Sequence, residues 1–318
     1  NYVNDNGRIL SCDYCETTVT DVDLMILLSE YEFNIKVIDF WHAKYDYLPK
    51  PIRDLNIKLY SDKTRLKGVE GQEIYYMKQK NKLNSVYGMS AQNPVKRSII
   101  FNNEWAIDNE ETDKEILKKY NKKSFLCYQW GVWVTAWARY RLEEGLRLAG
   151  NNAIYCDTDS VKYIGKVNWD DYNNKRKEES EEHGAAAKDR NNKNYYMGVY
   201  EHDATYERFV TLGAKKYAYM ENGKLHITVA GVNKKEGAIE LKDIEKFKEG
   251  FIFREAGGTE SVYNDNPEIK SYFVDGRKID ITRNVVIRDS TYTLGVTAEY
   301  REIIEKSKYI MEELQRKY

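Results

Sequence analysis

Tyr155-Cys156-Asp157-Thr158-Asp159-Ser160 joins two short runs of strand character, Ala153 to Cys156 and Ser160 to Ile164. Two such runs separated by Asp-Thr-Asp spell a tight hairpin. Carboxylates two positions apart in a strand are parted by the pleat, yet at a hairpin tip both can approach one point. There they repel each other unless a divalent cation sits between them and a polyanionic ligand. An acidic β-turn is the plain alternative, because Asp and Thr are ordinary turn residues.

Upstream, Val132 to Leu148 carries Trp133, Ala136, Trp137, Tyr140 and Leu148 at helical spacing, and Gly150-Asn151-Asn152 ends that helix. Further back, Glu73 to Tyr87 holds no Pro or Gly and closes on Gly88, the pattern of a helix with a glycine exit. Within it Lys80, Asn84 and Tyr87 stand at i, i+4 and i+7 on one face. A cation, an amide and a ring so arranged can hold a triphosphate and cover the base or sugar of a nucleotide. A solvated amphipathic helix is the bland reading. Downstream, Leu212-Gly213-Ala214-Lys215-Lys216-Tyr217-Ala218-Tyr219 sets lysines beside tyrosines after a glycine. Such a segment can hold backbone phosphate while a ring packs on sugar or base, or it is an exposed edge strand guarded by lysines.

The rest of the chain frames these motifs. Thr20-Asp21-Val22-Asp23 before Leu24-Met-Ile-Leu-Leu28 predicts a capped helix ending near Tyr31. Val37 to Tyr47 predicts a strand stopped by Pro49 and Pro51, and Lys63 to Gly71 a basic loop. Ala91 to Tyr128 reads as a polar, irregular surface insertion and Asp170 to Asn194 as a solvated charged stretch. Strands are expected within Tyr206 to Met220, over Leu225 to Val229 and near Tyr272 and Val285, and helices from Leu241 to Gly250 and from Thr297 onward. The first dozen residues show neither a capped helix nor an alternating strand. With no Met at position 1, the chain is expected to be a piece of a longer protein.

Composition agrees with a soluble globular protein. Lys+Arg number 50 and Asp+Glu 51, and 42% of residues are hydrophobic, enough for a core. The near-zero net charge argues against a simple polybasic nucleic-acid binder, but the distribution is uneven. Lys50 to Ile99 holds eleven Lys/Arg against four Asp/Glu, whereas Asp108 to Glu115 holds five acids and one Lys. No membrane span or secretory leader is written in the sequence, and four scattered cysteines fit reduced thiols in an intracellular protein. Cys12 and Cys15 form a lone CxxC, short of the four ligands of a closed zinc site. His42, His183, His202 and His226 are dispersed and read as packing or surface residues.

Taken in order, Lys80 to Gly88 matches KxxxNSxYG, Tyr155 to Ser160 matches YxDTDS, and Lys215 to Tyr217 matches KxY. This ordered set resembles the family B DNA polymerases. Gly131-Val-Trp-Val-Thr-Ala-Trp-Ala-Arg139 and His202-Asp-Ala-Thr-Tyr-Glu-Arg208 look like the protein-primed members of tailed phages. The resemblance covers roughly Asp21 to Thr293. It implies an α+β fold with the right-hand architecture, an antiparallel palm sheet with flanking helices and partial fingers and thumb. The implied division is 1–69 as an insertion resembling terminal-protein region 1 and the start of the fingers, 70–90 as the fingers helix and 91–130 as an insertion resembling terminal-protein region 2. Residues 131–222 would be palm, 223–296 thumb and 297–318 a C-terminal helix.

By the same resemblance Asp159 and Asp157 are the catalytic and metal-binding carboxylates of a two-metal Mg²⁺ site, in which Mn²⁺ can substitute. Lys80, Asn84 and Tyr87 would bind the deoxynucleoside triphosphate, and Lys215, Tyr217, Thr135 and Arg139 the primer-template DNA. Asp203 falls where relatives carry an acid near the palm. A terminal protein is the implied primer, and the cytoplasm of a bacterial host the implied location. The pattern departs from the family in two ways: no segment matches DxxSLYPS, whose Asp is the other metal ligand, and there is no proofreading domain. Asp243-Ile244-Glu245 has the spelling of an exonuclease motif but reads as part of a helix. The rival readings are a non-catalytic subunit or remnant that binds primed DNA and needs a partner's carboxylate, and a reverse transcriptase, against which Thr158 between the aspartates speaks.

Overall fold

The computed structural model describes residues 2–5, 8–30, 34–44, 46–96, 99–102, 104–107, 111–123, 127–257, 259–263, 270–274, 277–281 and 285–296, with residues 301 and 305. The chain opens with strands β1 (Tyr2–Asp5) and β2 (Arg8–Cys12), then helices α1 (Asp21–Glu30), α2 (Lys50–Leu66) and α3 (Glu73–Ser90). Next come β3 (Ile99–Asn102), β4 (Glu104–Ile107), α4 (Asp113–Lys123) and α5 (Tyr128–Ala149). They lead to β5 (Ala153–Asp157), β6 (Ser160–Tyr163), α6 (Asp170–Glu182), β7 (Ala186–Lys188) and β8 (Asn194–Tyr196). A meander of β9 (Arg208–Gly213), β10 (Lys216–Glu221) and β11 (Lys224–Val229) precedes α7 (Lys234–Leu241) and β12 (Ile252–Phe253). The last strands are β13 (Thr259–Tyr263), β14 (Lys270–Val274), β15 (Arg277–Ile281), β16 (Val285–Asp289) and β17 (Tyr292–Thr293). Among the described residues every pairing is antiparallel and every sheet has two or three strands. The fold is thus mixed α and β with small antiparallel sheets. None of its described helices is long and apolar enough to cross a membrane.

The chain divides into two compact units. One gathers residues 1–17, 97–111 and 203–318, and the other residues 18–96 and 112–202. In the second unit α5 is the central helix. Its buried small residues Gly131, Ala136, Gly145 and Ala149 let neighbours approach closely. A Cβ at Gly131 would come within 2.7 Å of Ser90 Oγ at the end of α3, and one at Gly145 within 2.5 Å of the Tyr200 hydroxyl. The other side of α5 is held polar-to-polar. Trp133 Nε1 donates to Asp21 Oδ1 at 3.0 Å, and Arg139 donates to both oxygens of Asp23 at 2.8 and 3.0 Å. Thr20 and Asp23 close the expected capping box on α1, the Thr20 hydroxyl accepting from Asp23 N at 3.0 Å and Asp23 Oδ2 accepting from Thr20 N at 3.3 Å.

In the first unit the three-stranded sheet, ordered β11-β10-β9, sends alternate residues to opposite faces. Ala218, Ile227 and Val229 point into a core completed by Leu241, Ile244, Phe247, Phe253 and Leu294. Tyr217 and Tyr219 fall on the other face. Asn233 caps α7, accepting from Lys235 N at 3.0 Å and Glu236 N at 3.3 Å. At Gly237 a Cβ would stand 2.3 Å from Ile227 Cδ1, so this helix sits directly on the sheet.

Several sequence expectations need correction. The Val37 to Tyr47 segment is not a strand: its described residues carry no ladder, and Val37, Phe40, Trp41 and Tyr47 are exposed. β-propensity without a pairing partner does not make a strand. Lys63 to Leu66 continues α2 rather than forming a loop, and the turn comes at Lys67 to Gln72, where Gly68 and Gly71 supply φ of +69° and +74°. Gly88 lies inside α3, which runs to Ser90. Within the first dozen residues, β1 and β2 pair antiparallel. The 91–128 insertion holds the paired strands β3 and β4 and helix α4, whose start is a capping box: Thr112 N donates to Glu115 Oε2 at 2.9 Å and Glu115 N donates to Thr112 Oγ1 at 3.4 Å.

Residues 170–194 are not merely solvated, since α6 buries Tyr172, Arg176 and Ser180. The helix placed at Leu241 to Gly250 ends at Leu241 instead, followed by one 3-10 turn over Ile244 to Lys246. β10 is the central strand of its sheet, so the edge-strand reading of Lys215 to Tyr219 falls. The helix expected from Thr297 onward lies outside the described residues, save Arg301 and Glu305, both helical.

Candidate active site

The Asp157 to Ser160 turn follows from its backbone. Asp157 pairs with Ser160 across β5 and β6, leaving Thr158 and Asp159 as the connection. Thr158 takes φ +57°, a left-handed value that a β-branched residue resists. Its strain is held in place by three local bonds. Asp159 N donates to Asp157 O at 2.7 Å, Thr158 Oγ1 donates to Asp157 Oδ1 at 2.9 Å, and Ser160 Oγ donates to Asp157 O at 3.2 Å. Asp157 is half-buried and Asp159 exposed.

Behind the hairpin stands an aromatic cluster. The Trp169 ring lies 5.7 Å from Tyr163 and 4.8 Å from Tyr200, and Tyr172 lies 5.3 Å from Tyr200. Tyr200 OH donates to Arg141 O of α5 at 3.2 Å. Burial, then the neighbouring Tyr172 and Asp159, push the Tyr200 phenol well above its ordinary range, so it stays a neutral donor.

In front of the hairpin is a cleft of about 680 Å³ within the same unit. Asp159 lines it, together with Asn84 and Tyr87 of α3, Tyr60 and Lys63 of α2, and Lys67 at the turn just after α2. Its further wall includes Tyr195, Met197 and Glu201. The structure therefore brings three of the sequence-derived site residues, Asn84, Tyr87 and Asp159, to one cavity. Lys80 is exposed one turn before Asn84 and does not line the cleft, but its charge is felt there: burial, then Lys67, then Lys80 depress the pKa of half-buried Lys63. Burial, with Glu201 adding to it, pushes the Tyr60 phenol up to about 12. Two ammonium groups on a concave wall, Lys63 and Lys67, with the charge of Lys80 acting from outside it, make a site for a polyanion.

The remaining site residues are elsewhere. Thr135 turns its hydroxyl back onto its own helix, donating to Val132 O at 2.8 Å and Gly131 O at 3.1 Å, and Arg139 is engaged by Asp23. Lys215 and Tyr217 belong to the other unit. Lys215, at φ +54°, is at the tip of the β9-β10 turn, and Tyr217 joins a row of rings on the face of the sheet away from its core. Phe209 stands 5.4 Å from Tyr217, Tyr219 stands 6.2 Å from it, and His226 stacks on Tyr219 at 5.0 Å. Asp203 is exposed there, and it helps raise the phenols of Tyr206 and Tyr219, an effect led by burial. Asp243 caps the 3-10 turn through Glu245 N at 3.0 Å, and Glu245 pairs with Arg208 at 2.5 Å, so this DxE is structural.

Cys12 and Cys15 are exposed free thiols, and among the described residues no three ligating side chains gather to hold a metal. The hairpin still offers the donor type that Mg²⁺ takes. One or two carboxylates suffice when substrate phosphates complete the shell.

Sequence reasoning missed Lys63, Lys67, Tyr195 and Glu201. The two lysines lay in the basic zone from Lys50 to Ile99. Tyr195 and Glu201 had no signal beyond a tyrosine pair and one acid after a charged stretch.

No protein-family model matches the chain. Over 153 residues it is 29% identical to the DNA polymerases of Bacillus phage Nf and Bacillus phage M2, a region covering 47% of this chain and 24% of each relative. The match thus spans about a quarter of their length. A solved structure of Phi29 DNA polymerase aligns over 77% of this chain and 38% of that chain, at 23% identity and a TM-score of 0.46. The resemblance to phage DNA polymerases read from the ordered motifs is borne out by the sequence relatives.

Proposed function

We propose that this chain is the nucleotide-binding and hairpin-bearing part of a template-directed DNA polymerase of the protein-primed type, with fingers, palm and thumb drawn from its small sheets and helices. The observation that carries the reading is the cleft shared by Asn84, Tyr87 and Asp159 beside Lys63 and Lys67. Its walls answer the three parts of a nucleotide. The lysines neutralise a triphosphate, Asn84 offers an amide to sugar or base, and the half-exposed Tyr87 ring gives a flat surface for either. Asp157 and Asp159 would hold Mg²⁺, which when bound polarises phosphate and favours ionisation of a primer hydroxyl. Thr158 keeps Asp157 oriented through its hydroxyl. Lys215 and Tyr217, on their own unit, would take primer-template DNA, with a terminal protein as the first primer.

Single-nucleotide incorporation on a primed template with Mg²⁺ tests the reading. Incorporation by the chain alone makes it an enzyme in its own right. Template binding without incorporation favours the rival, a primed-DNA-binding subunit whose partner completes the carboxylate set, a reading to which the two-carboxylate hairpin lends support.

The lowered pKa of Lys63 adds a pH prediction. In the free protein this ammonium loses its proton below the ordinary lysine range, so nucleotide affinity is expected to fall as pH rises through that depressed value. Arginine keeps its charge across the whole range. Lys63→Arg is therefore expected to flatten the alkaline limb of a plot of nucleotide Kd against pH, and an unchanged limb would remove Lys63 from the site.

A further inference from the structure

The lysines of the cleft already have an acid among them. Lys67 lies over the Tyr195 ring, 4.5 Å from its centroid, and its Nζ stands 3.4 Å from Glu201 Oε2. Glu201 also opposes the repulsion that Lys63 feels from Lys67 and Lys80. Its backbone is fixed from behind. Tyr200, the residue before it, donates its N–H to Asn173 Oδ1 at 2.8 Å and accepts from Asn173 Nδ2 at 3.0 Å, with its ring set against Gly145 and α6. The ion pair itself is weak by contrast. Lys67 and Glu201 keep 45% and 48% of their side-chain surface exposed, where water and salt screen the attraction. A carboxylate with a fixed root and a weakly held tip is a counter-ion that a stronger anion can displace.

We propose that Glu201 stands in the cleft where nucleotide phosphates belong and competes with them for Lys67, so that this acid sets the affinity of the site. The inference rests on the reading of the cleft as a triphosphate site. A triphosphate brings several charges against one carboxylate and displaces it. A ligand of lower charge must meet the same opposition with less attraction to spend. Glu201 is therefore a specificity-determining residue that acts through Lys67.

Calorimetric titration of inorganic tripolyphosphate into the full chain at low ionic strength tests this, using the wild type, Glu201→Gln, Lys67→Met and the double variant. Both side chains are about half exposed, so all four proteins are expected to fold, which thermal melts will verify. Glu201→Gln is expected to tighten binding about three- to tenfold, and the gain is expected to vanish in the Lys67→Met background. Binding by Glu201→Gln alone would be the strongest form of the same result. A wild type that binds while Glu201→Gln binds equally or more weakly overturns the role of Glu201 and leaves the cleft reading intact. So does a gain that persists without Lys67. Absence of binding in all four overturns the cleft reading, and the proposal with it.

Discussion

Asp159→Asn is expected to lower nucleotide incorporation by roughly 10³-fold or more, the equivalent of several kcal/mol of lost charge stabilisation, while affinity for primed DNA stays nearly unchanged. The substitution isolates charge from structure. Asp159 serves the turn through its backbone N–H, at 2.7 Å from Asp157 O, and its side chain is exposed at the edge of the cleft. Asparagine preserves that bond and the size of the side chain. Asp157 is a poorer probe, because its Oδ1 accepts the Thr158 hydroxyl and its loss would disturb the turn as well. Single-turnover primer extension reads the effect. Where the chain does not extend a primer, the Mg²⁺ dependence of nucleotide affinity reads it instead. Activity or metal dependence near the wild-type level would show that Asp159 is an ordinary turn acid.

Phe253→Ala is expected to cost its unit about 3–5 kcal/mol of stability, as the loss of a fully enclosed aromatic side chain does. Phe253 has no exposed surface, packs edge-on to Phe251 at 4.9 Å, and belongs to the cluster with Ile227, Leu241 and Leu294. The space has no easy filler. Gly237 beside it has no side chain, and the helix that carries it already touches the sheet. Urea unfolding followed by circular dichroism would report the loss as a lower midpoint. The same core backs β10, so the primed-DNA binding proposed for Lys215 and Tyr217 is expected to become temperature-sensitive in this variant.

What the sequence made legible was local chemistry. The acidic hairpin, the Thr20 cap and the long helix before the hairpin each depend on residues within a few positions, and each formed where it was expected. The Lys80, Asn84, Tyr87 face was sound as helical geometry, yet Asn84 and Tyr87 reach the cleft while Lys80 acts on it through Lys63. That distinction depends on how α2 packs on α3, which no spacing within α3 encodes. The Thr112 to Glu115 capping box was written in the sequence as plainly as the one at Thr20, and the surrounding polar residues hid it. Glu201 was unreadable for a different reason. Its importance comes from a lysine 134 positions away, and a lone acid after a charged stretch carries no mark of such a partner.

The division of the chain into units also bears on how it can be taken apart. The backbone passes from one unit to the other four times, between residues 17 and 18, 96 and 97, 111 and 112, and 202 and 203. A single proteolytic nick at any of these crossings leaves the units covalently tied, so a cleaved sample still purifies as one species until it is denatured. The unit with the cleft is nearly continuous, spanning 18–202 apart from 97–111. Replacing that short excursion by a flexible linker would yield one stretch of gene encoding the cleft by itself, whereas its companion, assembled from three separate stretches, offers no such shortcut.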